Sequence, residues 1–227
     1  MVYNQHMKTV VITGISRGIG KALANKFLNE GYRVIGTSTS GKVDIRNENL
    51  EIIKLDLSNQ KSIALATKKI ASITTKIDIL LNNAGTSFDE VDEEIDVSVL
   101  RKTLEVNLLG PIDFTKRLIQ YISKGGQIIN TSSIMASLTT DIGNNILDCP
   151  SYRISKTAVN MYTKTLASLL KKRGVIVSSI HPGWVKTAMG GEDAPREPKE
   201  AADQIFKLAT TSHETGLFWY DNEKLPW

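Results

Sequence analysis

The sequence predicts an α/β fold: a doubly wound, mostly parallel seven-stranded sheet with helices on both faces, in a single domain over residues 1–227. Three observations carry this expectation. Short β-branched runs alternate along the chain with segments of helical apolar spacing. A glycine-rich turn from Gly14 to Gly20 separates the first run from the first helical segment. Finally, 227 residues of 41% hydrophobic composition suffice to bury one full core.

The elements follow in order. Residues 1–6 form an N-terminal extension ahead of Met7, and residues 8–13 read as a buried strand. Residues 14–20 turn into a helix over 19–30, stopped by Gly31. Strands over 33–37 and 52–55 lead to a helix over 61–73 and a fourth strand over 77–81. A long helical stretch covers 97–122, followed by a strand over 127–130, a helix over 152–171 and a strand over 175–180. Pro198 opens the last helix, 199–210, and residues 216–220 make a final edge strand. No repeat, linker or low-complexity tract interrupts the series.

Composition excludes several classes of function. The net charge is +4 and the pI about 9.0, but the basic residues are scattered, so no nucleic-acid partner is expected. A lone cysteine, Cys149, permits no internal disulfide and no cysteine-based metal cluster, which fits a reducing, cytoplasmic compartment. No apolar stretch reaches membrane-spanning length, and residues 1–8 lack the core of a signal peptide, so no membrane partner is expected. No metal site is expected either. His181 precedes Pro-Gly at a strand end, which suits a structural role, and neither His6 nor His213 joins it by spacing. Asn130-Thr131-Ser132 fits a glycosylation acceptor, but it follows an apolar strand and reads as a chance match.

Three groups of residues carry chemistry. The turn Thr13-Gly14-Ile15-Ser16-Arg17-Gly18-Ile19-Gly20 lies where backbone amides and a helix N-terminus can cradle a pyrophosphate. Tyr152 and Lys156 begin a helix, where positions i and i+4 share a face. Tyr220 and Lys224 have the same spacing, but Asp221-Asn222 between them is turn chemistry. A tyrosine beside a lysine can act as an acid toward an oxygen that gains negative charge in a reaction. Bringing a tyrosine from about 10 to neutrality takes roughly 4 kcal/mol. A lysine about 4 to 5 Å away supplies on the order of 3 to 4 kcal/mol at an effective dielectric near 20. Ser132 and Ser133 end the fifth strand, at the carboxyl edge where open α/β sheets bind ligands.

These segments, with Asn82-Asn83-Ala84-Gly85 and Asn107, stand in an order that resembles the short-chain dehydrogenase/reductase family, whose domain is a Rossmann fold. The resemblance spans nearly the whole chain. Residues 182–191 and the ending Leu225-Pro226-Trp227 are similar to its C-factor and sniffer-like carbonyl reductase branch. The resemblance implies Tyr152 as acid and Lys156 holding the nicotinamide ribose. It implies Ser133 donating to the substrate oxygen and Asn107 anchoring a relay water. It also implies a dinucleotide held by Gly14, Ser16, Arg17, Gly18, Ile19 and Gly20, with Asp56 and Leu57 near the adenine. Asn83, Ala84 and Gly85 would lie along the adenosine ribose, and Pro182, Gly183, Val185 and Thr187 around the carboxamide.

Cofactor choice is read at residues 35–39, Ile-Gly-Thr-Ser-Thr, which hold no acid to repel a 2′-phosphate. Arg17, with hydroxyls from Ser38 and Thr39, can bind that phosphate, so NADP(H) is expected over NAD(H), which stays possible. The substrate is a small carbonyl or alcohol. Ser133 and Tyr152 are nineteen residues apart, so residues 138–150 should border it, whereas 188–197 offer little lid. Family members commonly pair through the helices at 97–122 and 152–171, which implies a homodimer or homotetramer. Two other roles remain open: the alcohol-oxidising direction, and a C-factor-like dinucleotide-binding regulator.

Overall fold

The structure, a computed structural model, describes residues 7–89, 95–139 and 148–227. The extension 1–6 and the centre of the 138–150 segment, residues 140–147, lie outside them. Parallel strands β1 (Thr9–Ile12), β2 (Arg33–Ser38), β3 (Leu50–Lys54), β4 (Ile77–Asn82), β5 (Ile122–Thr131), β6 (Ile176–Ile180) and β7 (Leu217–Tyr220) are joined by β8 (Glu223–Leu225), antiparallel to β7. Their order is β3-β2-β1-β4-β5-β6-β7-β8. The eighth strand corrects the count of seven. Asp221 and Asn222 take positive φ of 44° and 70° and turn the chain back, so Tyr220 pairs with Glu223 across a hairpin.

Each central strand serves two cores because successive side chains point to opposite faces. Val11, Ile77, Leu80 and Ile128 pack on one face against Ile63, Ile70, Phe114, Leu118 and Leu166. These belong to α2 (Gln60–Ile73), α4 (Gly110–Leu118) and α5 (Pro150–Leu170). On the other face Val10, Ile12, Ile79, Leu81 and Ile129 meet Leu23, Phe27, Ile205 and Leu208, from α1 (Gly18–Asn29) and α6 (Pro198–Thr210). Strands buried on both sides read as continuous apolar runs for this reason. Asn59 caps α2 through the Ser62 amide, and Glu197 with Glu200 forms a capping box on α6, where Pro198 sits in the first turn.

The predicted helix over 97–122 is divided. It comprises α3 (Val97–Leu104), a π-type turn at Glu105–Leu109, and α4, with a short 3₁₀ turn and β5 beginning at Ile122. Gly110-Pro111 explains the break, because Pro111 has no N–H for the carbonyl four residues earlier, that of Asn107. Among the described residues no helix is long and apolar enough to cross a membrane. The strand order reverses between β1 and β4, and their carboxyl ends open the crevice where ligands bind in such sheets.

Candidate active site

The floor of the crevice is built by Thr13. Its hydroxyl accepts hydrogen bonds from the amides of Asn83 and Ala84, both at 3.0 Å, while the Asn83 side-chain amide donates to the Thr13 carbonyl at 2.9 Å. The two strand ends are thereby stitched together, and Asn83 spends its amide nitrogen on the stitch. Gly14 has φ +75° and lies so close that a Cβ there would stand 2.9 Å from the Ala84 Cβ. A Cβ at Gly20 would fall 2.0 Å from the Gly14 carbonyl oxygen. Both positions require glycine.

The N-terminus of α1 has no side-chain cap; Arg17 holds the capping position with extended backbone, and Ser16 and Arg17 are exposed. The first amides of α1 are thus left for an anion. Ile19 packs inward against the core, and Gly18 approaches Thr187, whose Cγ2 is 3.1 Å from the position of an added Cβ. These features fit a dinucleotide pyrophosphate. Elsewhere on the rim the polar groups are partly engaged. Ser38 is buried and its hydroxyl donates to the Lys42 carbonyl at 3.0 Å, whereas Thr39 is exposed. Asp56 accepts from the Ser58 amide and hydroxyl, and Leu57 is buried. Pro182 and Val185 are buried, Gly183 abuts Arg196, and the Thr187 hydroxyl donates to the Val185 carbonyl.

Tyr152 and Lys156 stand on the first turns of α5, facing the end of β5. The Lys156 ammonium donates to the Thr131 carbonyl at 2.7 Å and lies 5.5 Å from the Tyr152 ring centroid. The Ser133 side chain stands near enough to the Tyr152 phenol to favour its ionised form. The Ser132 hydroxyl turns away, to the Lys156 carbonyl at 3.3 Å. Ser133 is presented because the chain enters a 3₁₀ turn there, its Oγ accepting from the Met135 amide. Asn107, in the π-type turn, is buried. Its amide donates to the Thr86 carbonyl at 2.8 Å and the Ser155 hydroxyl at 3.0 Å, and its Oδ1 accepts from the Thr86 amide at 2.8 Å. Gly85 is the open edge: a Cβ there would stand 3.3 Å from the Lys156 Nζ and 3.4 Å from the Asn107 Oδ1.

Electrostatics modify the sequence expectation. Burial pushes the Tyr152 phenol up to about 12, the nearby Ser133 side chain opposing it, rather than down toward neutrality. Burial likewise pulls Lys156 down to about 8. For the chain alone, desolvation outweighs the attraction between the pair. His181 packs 5.0 Å from Tyr220, ring centre to ring centre, and lies outside this cluster. Sequence reasoning named Thr13 within the glycine turn but not its bonds to Asn83 and Ala84, and it missed Thr131 and Asp89, whose partners are distant in sequence. It also missed the π-type turn, for which Gly110-Pro111 was the available signal.

The comparisons with known proteins agree with this architecture. Residues 8–198 match the short chain dehydrogenase family model. The chain is 32% identical over 193 residues to the 3-oxoacyl-(acyl-carrier-protein) reductase FabG of Vibrio cholerae, covering 82% of this chain and 77% of that one. It is 28% identical over 160 residues to the C-signal protein of Myxococcus xanthus, 68% of this chain and 95% of that one. The carbonyl reductase Sniffer of D. melanogaster superposes with a TM-score of 0.86 at 27% identity, covering 98% of this chain and 100% of that one. The crevice and its tyrosine–lysine pair thus sit in a nicotinamide-dinucleotide-dependent oxidoreductase. The chain belongs to the short chain dehydrogenase family, with sniffer and C-factor-like relatives.

Proposed function

We propose that the chain is an NADP(H)-dependent carbonyl reductase that converts a ketone or aldehyde to the alcohol. One observation carries the reading: the Lys156 ammonium, beside Gly85, lies 5.5 Å from the centre of the Tyr152 ring, and the Ser133 side chain acts on the same phenol. When bound, the reduced nicotinamide supplies hydride to the carbonyl carbon. Ser133 donates a hydrogen bond to the substrate oxygen and Tyr152 gives that oxygen its proton, so hydride and proton together make the alcohol. A phenol held near 12 keeps its proton at neutral pH, as an acid must. Lys156, mostly protonated at neutral pH, steadies the phenolate left behind. Asn107 fixes the backbone of Thr86 beside Gly85, and by the family resemblance it anchors the water through which Tyr152 is reprotonated.

Exposed Arg17 and the acid-free end of β2 support NADP(H) over NAD(H). Trp184 and Met189, each about half exposed, offer apolar contact to the substrate. Leu109, Met161 and Leu169, exposed on the helical surface, support a homodimer or homotetramer, and the lone Cys149 suits a cytoplasmic location. The deciding experiment screens aldehydes, ketones, quinones and a 3-oxoacyl thioester by loss of reduced-nicotinamide absorbance. Turnover of none of them, in either direction, would overturn the reading. The likeness to C-signal favours one second reading, a dinucleotide-binding regulator, which would bind cofactor without turning over any carbonyl.

A further inference from the structure

The strap that leaves β4 reaches across the crevice and touches the helix bearing Tyr152. Asn107 grips one end of it through both backbone groups of Thr86. At the other end, the Asp89 carboxylate accepts from the first amides of α5: Oδ1 from Ser151 at 3.0 Å and Oδ2 from Tyr152 at 2.9 Å. The Ser87 hydroxyl donates to Asp89 Oδ2 at 3.3 Å. Asp89 stands 63 residues before Tyr152, so its contact is no local turn.

The local alternative is missing. The residue at the capping position of α5 is Cys149, in left-handed backbone at φ 54°, ψ 53°, and its side chain makes no capping bond. Pro150, at the first helical position, has no N–H. The amides of Ser151 and Tyr152 are therefore the first that α5 must satisfy, and only a group from outside the helix reaches them. A carboxylate there is favoured by the positive end of the helix dipole. It fixes the first turn of α5 against the strap, and with it the Cα from which the phenol reaches Ser133.

We infer that Asp89 is the positioning residue for Tyr152, a cap supplied by the strap after β4 that sets where the acid stands relative to Ser133 and Gly85. This rests on the reductase reading of the site. Asp89 acts through the backbone of α5, and Asn107 and Asp89 together make the strap a brace between the crevice floor and α5.

The test uses the full-length protein with Asp89→Ala and Asp89→Asn. For Asp89→Ala, kcat should fall at least tenfold, with KM and reduced-cofactor affinity within about threefold of the parent. Exchange of the Ser151 and Tyr152 amides, followed by NMR, should quicken at least tenfold, while amides beyond Lys156 keep their protection. Asp89→Asn, which retains an acceptor oxygen, should recover a substantial part of both. Unchanged exchange at the two amides would overturn the cap. Unchanged kcat would overturn the positioning role, as would equal losses of kcat, substrate affinity and cofactor affinity with no gain from Asn. If the parent turns over no carbonyl, the reductase reading fails, and the exchange measurement still decides whether Asp89 caps α5.

Discussion

Lys156 sits 5.5 Å from the centre of the Tyr152 ring yet spends a hydrogen bond of 2.7 Å on the Thr131 carbonyl. The bond pins the ammonium between α5 and the end of β5, so the phenol and its cation are held by two elements that the sheet brings together. Burial then takes both away from water, so each resists its charged form.

Tyr152→Phe should fold, bind reduced cofactor with unchanged affinity and lose at least about a hundredfold in kcat, the usual worth of a general acid. Tyr220→Phe, on β7, should keep parental turnover. Steady-state kinetics beside cofactor titration checks both. Retention of more than about a tenth of turnover by Tyr152→Phe would remove it as the acid.

Arg17→Ala should weaken NADP(H) by at least tenfold and NAD(H) by less than threefold, since only the former carries a 2′-phosphate for the guanidinium. Fluorescence titration with each reduced cofactor measures this. Ser38→Asp should reverse the preference, though the buried Ser38 hydroxyl already serves Lys42, so Thr39→Asp is the companion variant. Tighter binding of NAD(H) than NADP(H) by the parent would defeat the assignment.

Lys156 makes stability depend on pH in a definite direction. Its folded value of about 8 lies below the ordinary 10.5, so between these the folded chain has lost a proton that the unfolded chain keeps. The unfolded state binds more protons there, and stability rises as pH climbs through that window. Relative to Lys156→Met, the parent should gain up to about 3 kcal/mol between pH 8 and 10.5, at about 1.36 kcal/mol per pH unit. Urea unfolding of both proteins across that range gives the difference. A flat difference would show that Lys156 is not desolvated.

His181 acts at acid pH. Burial, with help from Arg196 and against Asp221, lowers it to about 4 from the usual 6.5. Between those values the unfolded chain carries an imidazolium that the folded chain lacks, so stability declines as pH falls through the window. Among the described residues its Nδ1 has no partner. His181→Gln should flatten the acid limb of melting temperature against pH between 6.5 and 4, and an unaltered limb would contradict the burial argument.

The parallel strands, the glycine turn and the tyrosine–lysine pair were legible because each depends on neighbours in sequence: apolar runs, a tight turn, a spacing of four. Gly31 and Pro198 marked helix ends for the same reason. β8 was not legible, since Glu223-Lys224-Leu225 has little strand character and exists by pairing with Phe218, Trp219 and Tyr220. The break at Asn107 had a written signal in Gly110-Pro111 that the apolar spacing of 97–122 outweighed. Asp89 had no signal, because nothing near it in sequence says that α5 lacks a cap of its own. The rise of the Tyr152 phenol was also hidden, for charge spacing can be read along a chain but the depth of burial cannot.

The single hydroxyl of Thr13 that accepts from Asn83 and Ala84 joins positions 70 and 71 residues apart. Closing a loop of that length costs chain entropy, and the loop closed here holds everything from α1 to α2. The cradle for the cofactor is therefore not a local property of the glycine turn, although its consensus is written there. It exists only where β1 and β4 lie side by side, so a change that loosens the central strands loosens the cofactor site with them.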